Sequence, residues 1–458
     1  MSMNHLDAAR LRAELDGRLV LPGEPGWDEA RQAWQLVVDQ RPDAVVIAAS
    51  PNDVVATVRA AGAAGLRVAA QGTGHNAAPL GSLEGTVLLR TSGLTGITVD
   101  AEAGTARVEA GVVWGDLTAA ATPHGLAGLA GTAADVGVVG YTLGGGVSWL
   151  GRAFGLAANH VVSADVVTAD GVLRHIDVMN EPELFWAIRG GGGSFAVVTA
   201  LEIGLVRVPD LHGGILFFPL ERAAEVLHAW RAWTATVPDE ITSIGRLLRF
   251  PALPDIPEPV RGQSFAVVEL VSLLDQPTTD KVLASLRELG PVMDTVASAS
   301  AVELAAIHMD PPGPAPATSD GFLLTDLPTD ALDAFLSVAG PEGDFPALTT
   351  EIRHLGGALT PDQAKGGAVT GFAAGYAVFT AQITPEESSV KATHVVLDQL
   401  QDALRSWVAP TSYLNFKERP GNAPFADAAT LDRLRQVKAE YDPADLVRGN
   451  HPVAPARG

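Results

Sequence analysis

Along residues 44–70 the apolar and polar positions predict a strand, a helix and a second strand. The run "AVVIAAS" is apolar at nearly every position, as in a strand buried on both faces. The stretch "SPNDVVATVRAAGAAG" then places Ser50 where a helix cap belongs and Pro51 just after it. An apolar stripe follows at Val54, Val55, Val58 and Ala61, with Gly65 as the stop. "LRVAA" returns as a strand, so the chain opens on a β-α-β unit.

Short strands follow between Thr86 and Ala110, "TVLL", "GITVD" and "ARVEA", then a helix over "WGDLTAAATPHG". The segment "GLAGTAADVGVVGYTLGGGVSWLG" is too poor in charge for a surface loop and too rich in glycine for a helix interior; its backbone must be closely approached. "NEPELFWAIRGGGGSFAVVTALEIGLV" predicts a helix, a glycine break and a β-branched strand ending near Val208, with Phe185 and Trp186 in the core. Residues 209–412 change texture. Strands such as "FAVVELVSL" alternate there with helices such as "AAEVLHAWRAWTATV" and "DKVLASLRELG", between the Pro-rich loops "FPALPDIPEPVRG" and "DPPGPAPATS". The pattern is that of an α+β chain in two lobes, as expected for 458 residues.

Charge and composition narrow the partners. With 31 Lys+Arg against 53 Asp+Glu the formal charge is −22, a field that repels nucleic acid and anionic membrane surfaces. The chain has no cysteine, which removes disulfides, thiolate nucleophiles and Cys-ligated metals. No metal-ligand, hydrolase-elbow or Walker pattern occurs, so no metal site is expected. The amino terminus "MSMNHLDAARLRAELDG" lacks a signal-peptide core, and the uncharged stretch Val136 to Gly151 is shorter than the roughly 18–20 residues of a membrane span. A cytoplasmic protein without a membrane segment is the expectation.

The candidate chemistry lies in "QGTGHN" at 71–76, just after the strand "LRVAA". Gly72, Gly74 and Ala77 satisfy a dinucleotide-binding spacing. That motif requires a helix at its third small residue, and "APLGSLEGTV" cannot begin one. Two readings then stand: a surface turn with an incidental histidine, or a nest of backbone N–H groups that holds a phosphate oxygen while His75 reaches an organic cofactor.

The remaining motifs favour the second. "GHN" at 74–76, "VGVVGYTLGGGVSWLGRAFGLAANHVVSADVVTADG" at 136–171, "DVMNEPELFWAIRGGGGSFAVVTALEI" at 177–203, "YLNF" at 413–416 and "VKAEYDPADLVRGNHPVAP" at 437–455 occur in an order that resembles the FAD-linked oxidases of the berberine bridge enzyme-like group. That group belongs to the vanillyl-alcohol oxidase family, with its PCMH-type FAD domain. The resemblance covers nearly the whole chain. It implies an amino-terminal segment at 1–39, an FAD domain at 40–208, a substrate domain at 209–412 with a sheet covered by helices, and a segment at 413–458 that returns to the FAD domain.

It also implies the site. His75 occupies the position bonded to the flavin 8α-methyl carbon, within a loop that has Thr73 and Asn76 in place of the usual Gly and Ser. A second, cysteinyl attachment falls on Ala133, so only a single histidyl bond is expected. Val138 takes the position that gates oxygen, in the form that admits it. Backbone around Gly72, Gly74, Asp135, Val136, Gly137, Gly140, Tyr141, Gly145 and Gly146 wraps the pyrophosphate and flavin, Asn159 and Val197 line the adenosine end, and Asn450 reaches the flavin. Tyr413 and Asn415 of "YLN" are the implied catalytic pair, Tyr413 as general base, with Arg353 and His354 lining the pocket. The implied reaction is oxidation of a small-molecule alcohol, amine or sugar C–H, with O₂ reduced to hydrogen peroxide. A flavin dehydrogenase and a non-catalytic flavin-binding protein are the rival readings.

Overall fold

Helix Pro51–Ala64 begins where the capping chemistry puts it. Ser50 Oγ accepts a hydrogen bond from the Asp53 N–H at 3.3 Å, and the Asp53 carboxylate accepts from the Ser50 N–H at 3.2 Å. Gly65 closes the helix in the left-handed region at φ 67°. The Asp53 carboxylate also takes the N–H groups of Asp16, Gly17 and Ala49, so one buried cap fastens the amino-terminal segment to the first lobe. This computed structural model describes residues 6–457 except 255, 257, 312, 344, 346, 363, 365 and 420–423. The first five residues of the acidic amino-terminal stretch and positions in both Pro-rich loops lie outside the described residues.

Strands Ala44–Ile47 and Arg67–Gln71 flank Thr86–Arg90, which runs parallel to both; Arg18–Val20 adds antiparallel at the outer edge. A second, antiparallel sheet takes the order Ile97–Asp100, Thr105–Glu109, Val197–Gly204, Val161–Val167, Leu173–Ile176. One continuous core joins the two sheets.

Two elements depart from the sequence reading. The glycine-dense segment contains a helix, Val138–Leu143, with Gly140 inside it. Burial of Val138, Val139 and Leu143 outweighs the roughly 1 kcal/mol that an interior glycine costs a helix. The strand expected to end near Val208 stops at Gly204, and Val206–Arg207 turns to pair with Leu126–Ala127.

The second lobe is an antiparallel sheet with the central order His212–Pro219, Ser264–Ser272, Ile241–Arg249, Thr349–His354, Tyr376–Ile383, Ala317–Leu324. Its two faces differ because side chains alternate. Leu247, Val268, Leu270 and Ile352 pack against Leu227, Trp230, Leu332 and Phe335 of helices Ala223–Thr234 and Thr329–Ala339. In register on the opposite face stand Arg246, Glu269, Glu351 and Arg353. All four are buried. The carboxyl-terminal chain returns beside strand Arg67–Gln71: the Val68 N–H donates to Leu446 O and the Arg448 N–H to Val68 O, both at 2.8 Å. Among the described residues no helix is long and apolar enough to cross a membrane.

Candidate functional site

His75 sits half-buried at the end of strand Arg67–Gln71, in a turn made possible by Gly74 at φ 88°. A Cβ on Gly74 would stand 2.9 Å from both the Ala33 methyl and the Gln71 amide, so the turn is pressed against the amino-terminal segment. From that segment Trp34 stacks on the imidazole, with ring centroids 4.2 Å apart and planes 20° from parallel. The imidazole has polar partners on both nitrogens, Thr73 Oγ1 at 2.7 Å from Nδ1 and Asp135 Oδ1 at 3.2 Å from Nε2. The other Asp135 oxygen accepts from Trp34 Nε1 at 2.6 Å. Partial burial pushes the Asp135 carboxyl up, but the hydrogen bond and charge of His75, with the Trp34 donor, hold it below the usual carboxylate range.

Asn76 ties this turn to the carboxyl-terminal motif, its Nδ2 directed at the carbonyls of Leu414, Asn415 and Lys417 at 3.2–3.4 Å. Asn415 in turn donates to Tyr141 O at 2.9 Å and to the Tyr413 hydroxyl at 3.0 Å. That hydroxyl also accepts the Val147 N–H at 2.9 Å. The chain therefore gathers 72–76, 135–147 and 413–417 around one place. Gly137 lies against Thr73, and Val136 and Val138 are fixed by backbone hydrogen bonds to Trp114 and Val112. Gly145 and Gly146 accept from Ala158 and Ala157, and Tyr141 donates to Leu129 O.

Other expected positions lie further out. Ala133 is only partly buried and Val197 is wholly buried. Asn159 donates to Thr370 O of the second lobe at 3.1 Å, while Asn450 bonds the N–H of His451, whose ring donates to Leu414 O at 2.9 Å. Arg353 lies 4.8 Å over the Phe416 ring and is held by Glu351 at 2.7 Å; His354 faces Arg152 instead. Phe185 is buried as expected, and Trp186 is capped by Arg433 at 3.8 Å. Sequence reasoning missed Trp34, because nothing in the pattern of residues 1–39 singles it out.

The polar inventory fits a flavin dinucleotide. Asn76 Oδ1 and Thr142 Oγ1, both within the converging segments, are buried without a protein partner, as is Trp149 Nε1 just beyond them, and such atoms call for a bound group or water. Gly146, at φ 77°, has no room for a side chain: a Cβ would strike the Tyr141 ring and lie 2.8 Å from the Ala157 methyl. Gly146→Ala is expected to cost about 1–3 kcal/mol through this strain, read as a lower Tm, with loss of bound flavin absorbance.

Residues 42–177 match the FAD binding domain family. The chain is 34% identical over 195 residues to (R)-6-hydroxynicotine oxidase of Paenarthrobacter nicotinovorans, covering 43% of each chain. It is 35% identical over 208 residues to berberine bridge enzyme-like 5 of Arabidopsis thaliana, covering 43% of this chain and 39% of the relative. The matched stretches thus span less than half the length of these two relatives. Over nearly the full length, 98% of this chain and 99% of the other, it superposes on Physcomitrella patens BBE-like 1 with a TM-score of 0.84 at 18% identity, which shows a shared fold. Family match, fold and polar cradle agree: residues 42–177 are an FAD binding domain, and the chain as a whole has the fold of Physcomitrella patens BBE-like 1.

Proposed function

We propose that the chain is an oxidase of a small organic substrate, with FAD bonded through His75, and that 40–208 together with 413–458 forms the cofactor lobe against a substrate lobe at 209–412. When bound, FAD takes a hydride from an alcohol, amine or sugar carbon and returns the electrons to O₂ as hydrogen peroxide. The observation that carries this reading is the convergence of the His75 turn, the glycine segment and the Tyr413–Asn415 pair, with unpartnered polar atoms at their meeting point. Val138, wholly buried at the start of its helix, stands at the proposed oxygen entry with a small side chain.

Tyr413 is the proposed base. Burial pushes its phenol up to about 12, and the Val147 N–H, the Asn415 amide and the Arg353 charge pull the other way. The phenol therefore holds its proton at neutral pH. The two donors aimed at its oxygen stabilise the phenolate when it forms, so activity rises with pH into the alkaline range. Tyr413→Phe is expected to lower kcat/KM by about 10²–10⁴-fold, with the flavin still bound and the alkaline rise abolished. An alkaline rise that survives in the variant assigns the base elsewhere.

The deciding experiment screens small alcohols, amines and sugars for anaerobic bleaching of the flavin, then admits air and measures peroxide. Bleaching followed by rapid reoxidation and stoichiometric peroxide is the expected result. Slow reoxidation in air identifies a dehydrogenase, and bleaching by none of the substrates identifies a flavin-binding protein without catalysis.

A further inference from the structure

We propose that the substrate carries a carboxylate and that Arg353 holds it, so that the alcohol or amine to be oxidised belongs to a small organic acid. The inference rests on the oxidase reading and narrows its substrate class.

The guanidinium is only half used. Its Nε and Nη2 both turn to Glu351 Oε1, each at 2.7 Å, which occupies one side of the planar fork. Nη1 has no hydrogen-bond partner among the described residues, and Ala377, opposite Arg353 on the neighbouring strand, has no polar side chain to offer. The end of the fork, formed by Nη1 and the second Nη2 hydrogen, is left to a ligand, and its two parallel donors match the two oxygens of a carboxylate.

This donor pair stands beside the proposed base. The guanidinium lies 4.8 Å over the Phe416 ring, which meets the Tyr413 ring at 4.8 Å. Its charge draws down the phenols of Tyr413 and Tyr141, against the burial that pushes both up. Strand Thr349–His354 thus brings Arg353 to the place where 135–147 and 413–417 converge.

Charge decides what kind of ligand fits. On this face of the sheet Arg246, Arg353 and His308 are cationic, the imidazole being raised to about 9, and all three are buried with Glu269 and Glu351. Three cations therefore meet two carboxylates. Asp310 lies 3.7 Å from His308 Nε2, is bonded to Thr132 at 3.1 Å, and has a side chain 30% exposed, so water screens it. A positive excess out of water calls for a counter-ion, and it is a local exception in a chain of formal charge −22. Arg353, at 8%, is the most exposed of the five, so an anion reaches the group there. A monoanionic substrate balances the group; a neutral alcohol or sugar leaves it unbalanced.

The test uses the holoenzyme and reads equilibrium binding from the perturbed flavin absorbance, without turnover. Acetate, butyrate, benzoate and phenylacetate are titrated, each beside its neutral amide. At least one acid is expected to bind about 10–10²-fold more tightly than its amide. Arg353→Gln is expected to erase that preference and Arg353→Lys to recover part of it. No acid that outbinds its amide, or a preference that survives Arg353→Gln, overturns this inference and leaves the oxidase reading standing. In the second case a weakened alkaline rise assigns the guanidinium charge to the Tyr413 phenolate. A flavin that answers to carboxylates but is bleached by no alcohol, amine or sugar overturns the reading beneath. Should Arg353→Gln not fold, with Glu351 left unpaired, the double variant with Glu351→Gln decides: it removes both charges together, and an acid preference that persists there also overturns the inference.

Discussion

Lys438→Met is expected to destabilise the folded chain by about 3–5 kcal/mol, the range for breaking a buried ion pair by removing one partner. Lys438 and Asp442 are both wholly buried and meet at 2.5 Å, one turn apart at the end of helix Ala428–Tyr441. The ammonium spends its other hydrogens on Ser194 O at 2.7 Å and Val447 O at 2.8 Å. Asp442 meanwhile accepts the N–H groups of Leu446 and Val447 at 2.8 Å each. This one pair therefore orders the chain after "YDP", holding it against the strand that leads to His75 and against Ser194 at the end of the glycine run 190–193. Methionine fills the volume but leaves the carboxylate without a counter-charge and two carbonyls without a donor. Adding Asp442→Asn to Lys438→Met is expected to restore part of the loss by removing the stranded charge, although the asparagine cannot accept as well from both N–H groups. Urea unfolding of the wild type, the single and the double variant measures the difference; a single variant within 1 kcal/mol of the wild type contradicts the assignment.

That contact also shows where the sequence stops being legible. The β-α-β opening could be read because each signal is local: Ser50, Pro51 and Gly65 act on the helix they bound. The His75 turn could be read because a histidine between small residues after a buried strand is itself unusual. "YDP" was recognisable as a motif, but its work is structural, and that depends on a lysine four residues earlier meeting a carbonyl at position 194. Trp34 is harder still. Its stack on His75 and its bond to Asp135 join three stretches separated by tens of residues, and no periodicity records such a meeting. In the second lobe a partial signal existed. Glu269 in "FAVVELVSL" and Arg246 in "ITSIGRLLRF" are charges inside otherwise apolar strands, which are buried only with partners. The strands say that partners exist; only the folded sheet, which brings Arg246 to 2.7 Å from Glu269, says which they are.

Glu269→Gln is expected to cost a further large amount, about 3–5 kcal/mol near neutral pH, and to remove a pH dependence that the wild type shows. The buried imidazole of His308 lies between two carboxylates, Glu269 at 2.5 Å from Nδ1 and Glu351 at 3.1 Å from Nε2. Arg246 pairs with Glu269 at 2.7 Å and also donates to His308 O, and Arg353 pairs with Glu351. Burial and the Arg246 charge push the imidazole down, but Glu269, Asp310 and Glu351 together raise it to about 9. A histidine raised in the folded state stabilises fully below its unfolded value of about 6.5, and that contribution fades as pH climbs through about 9. Wild-type stability should therefore decline across this interval. With glutamine at 269 the imidazole keeps the neighbouring guanidinium and loses its nearest counter-charge, so less of the upward shift remains and the decline flattens. The consequence reaches the FAD binding domain, because the His308 ring sits edge-on to Trp149 at 6.3 Å, within the glycine-dense segment, and Arg353 leans over Phe416 beside Tyr413. Unfolding free energies at pH 6.5, 7.5 and 9 for both proteins measure this, and an equal slope in the two would mean that another group titrates.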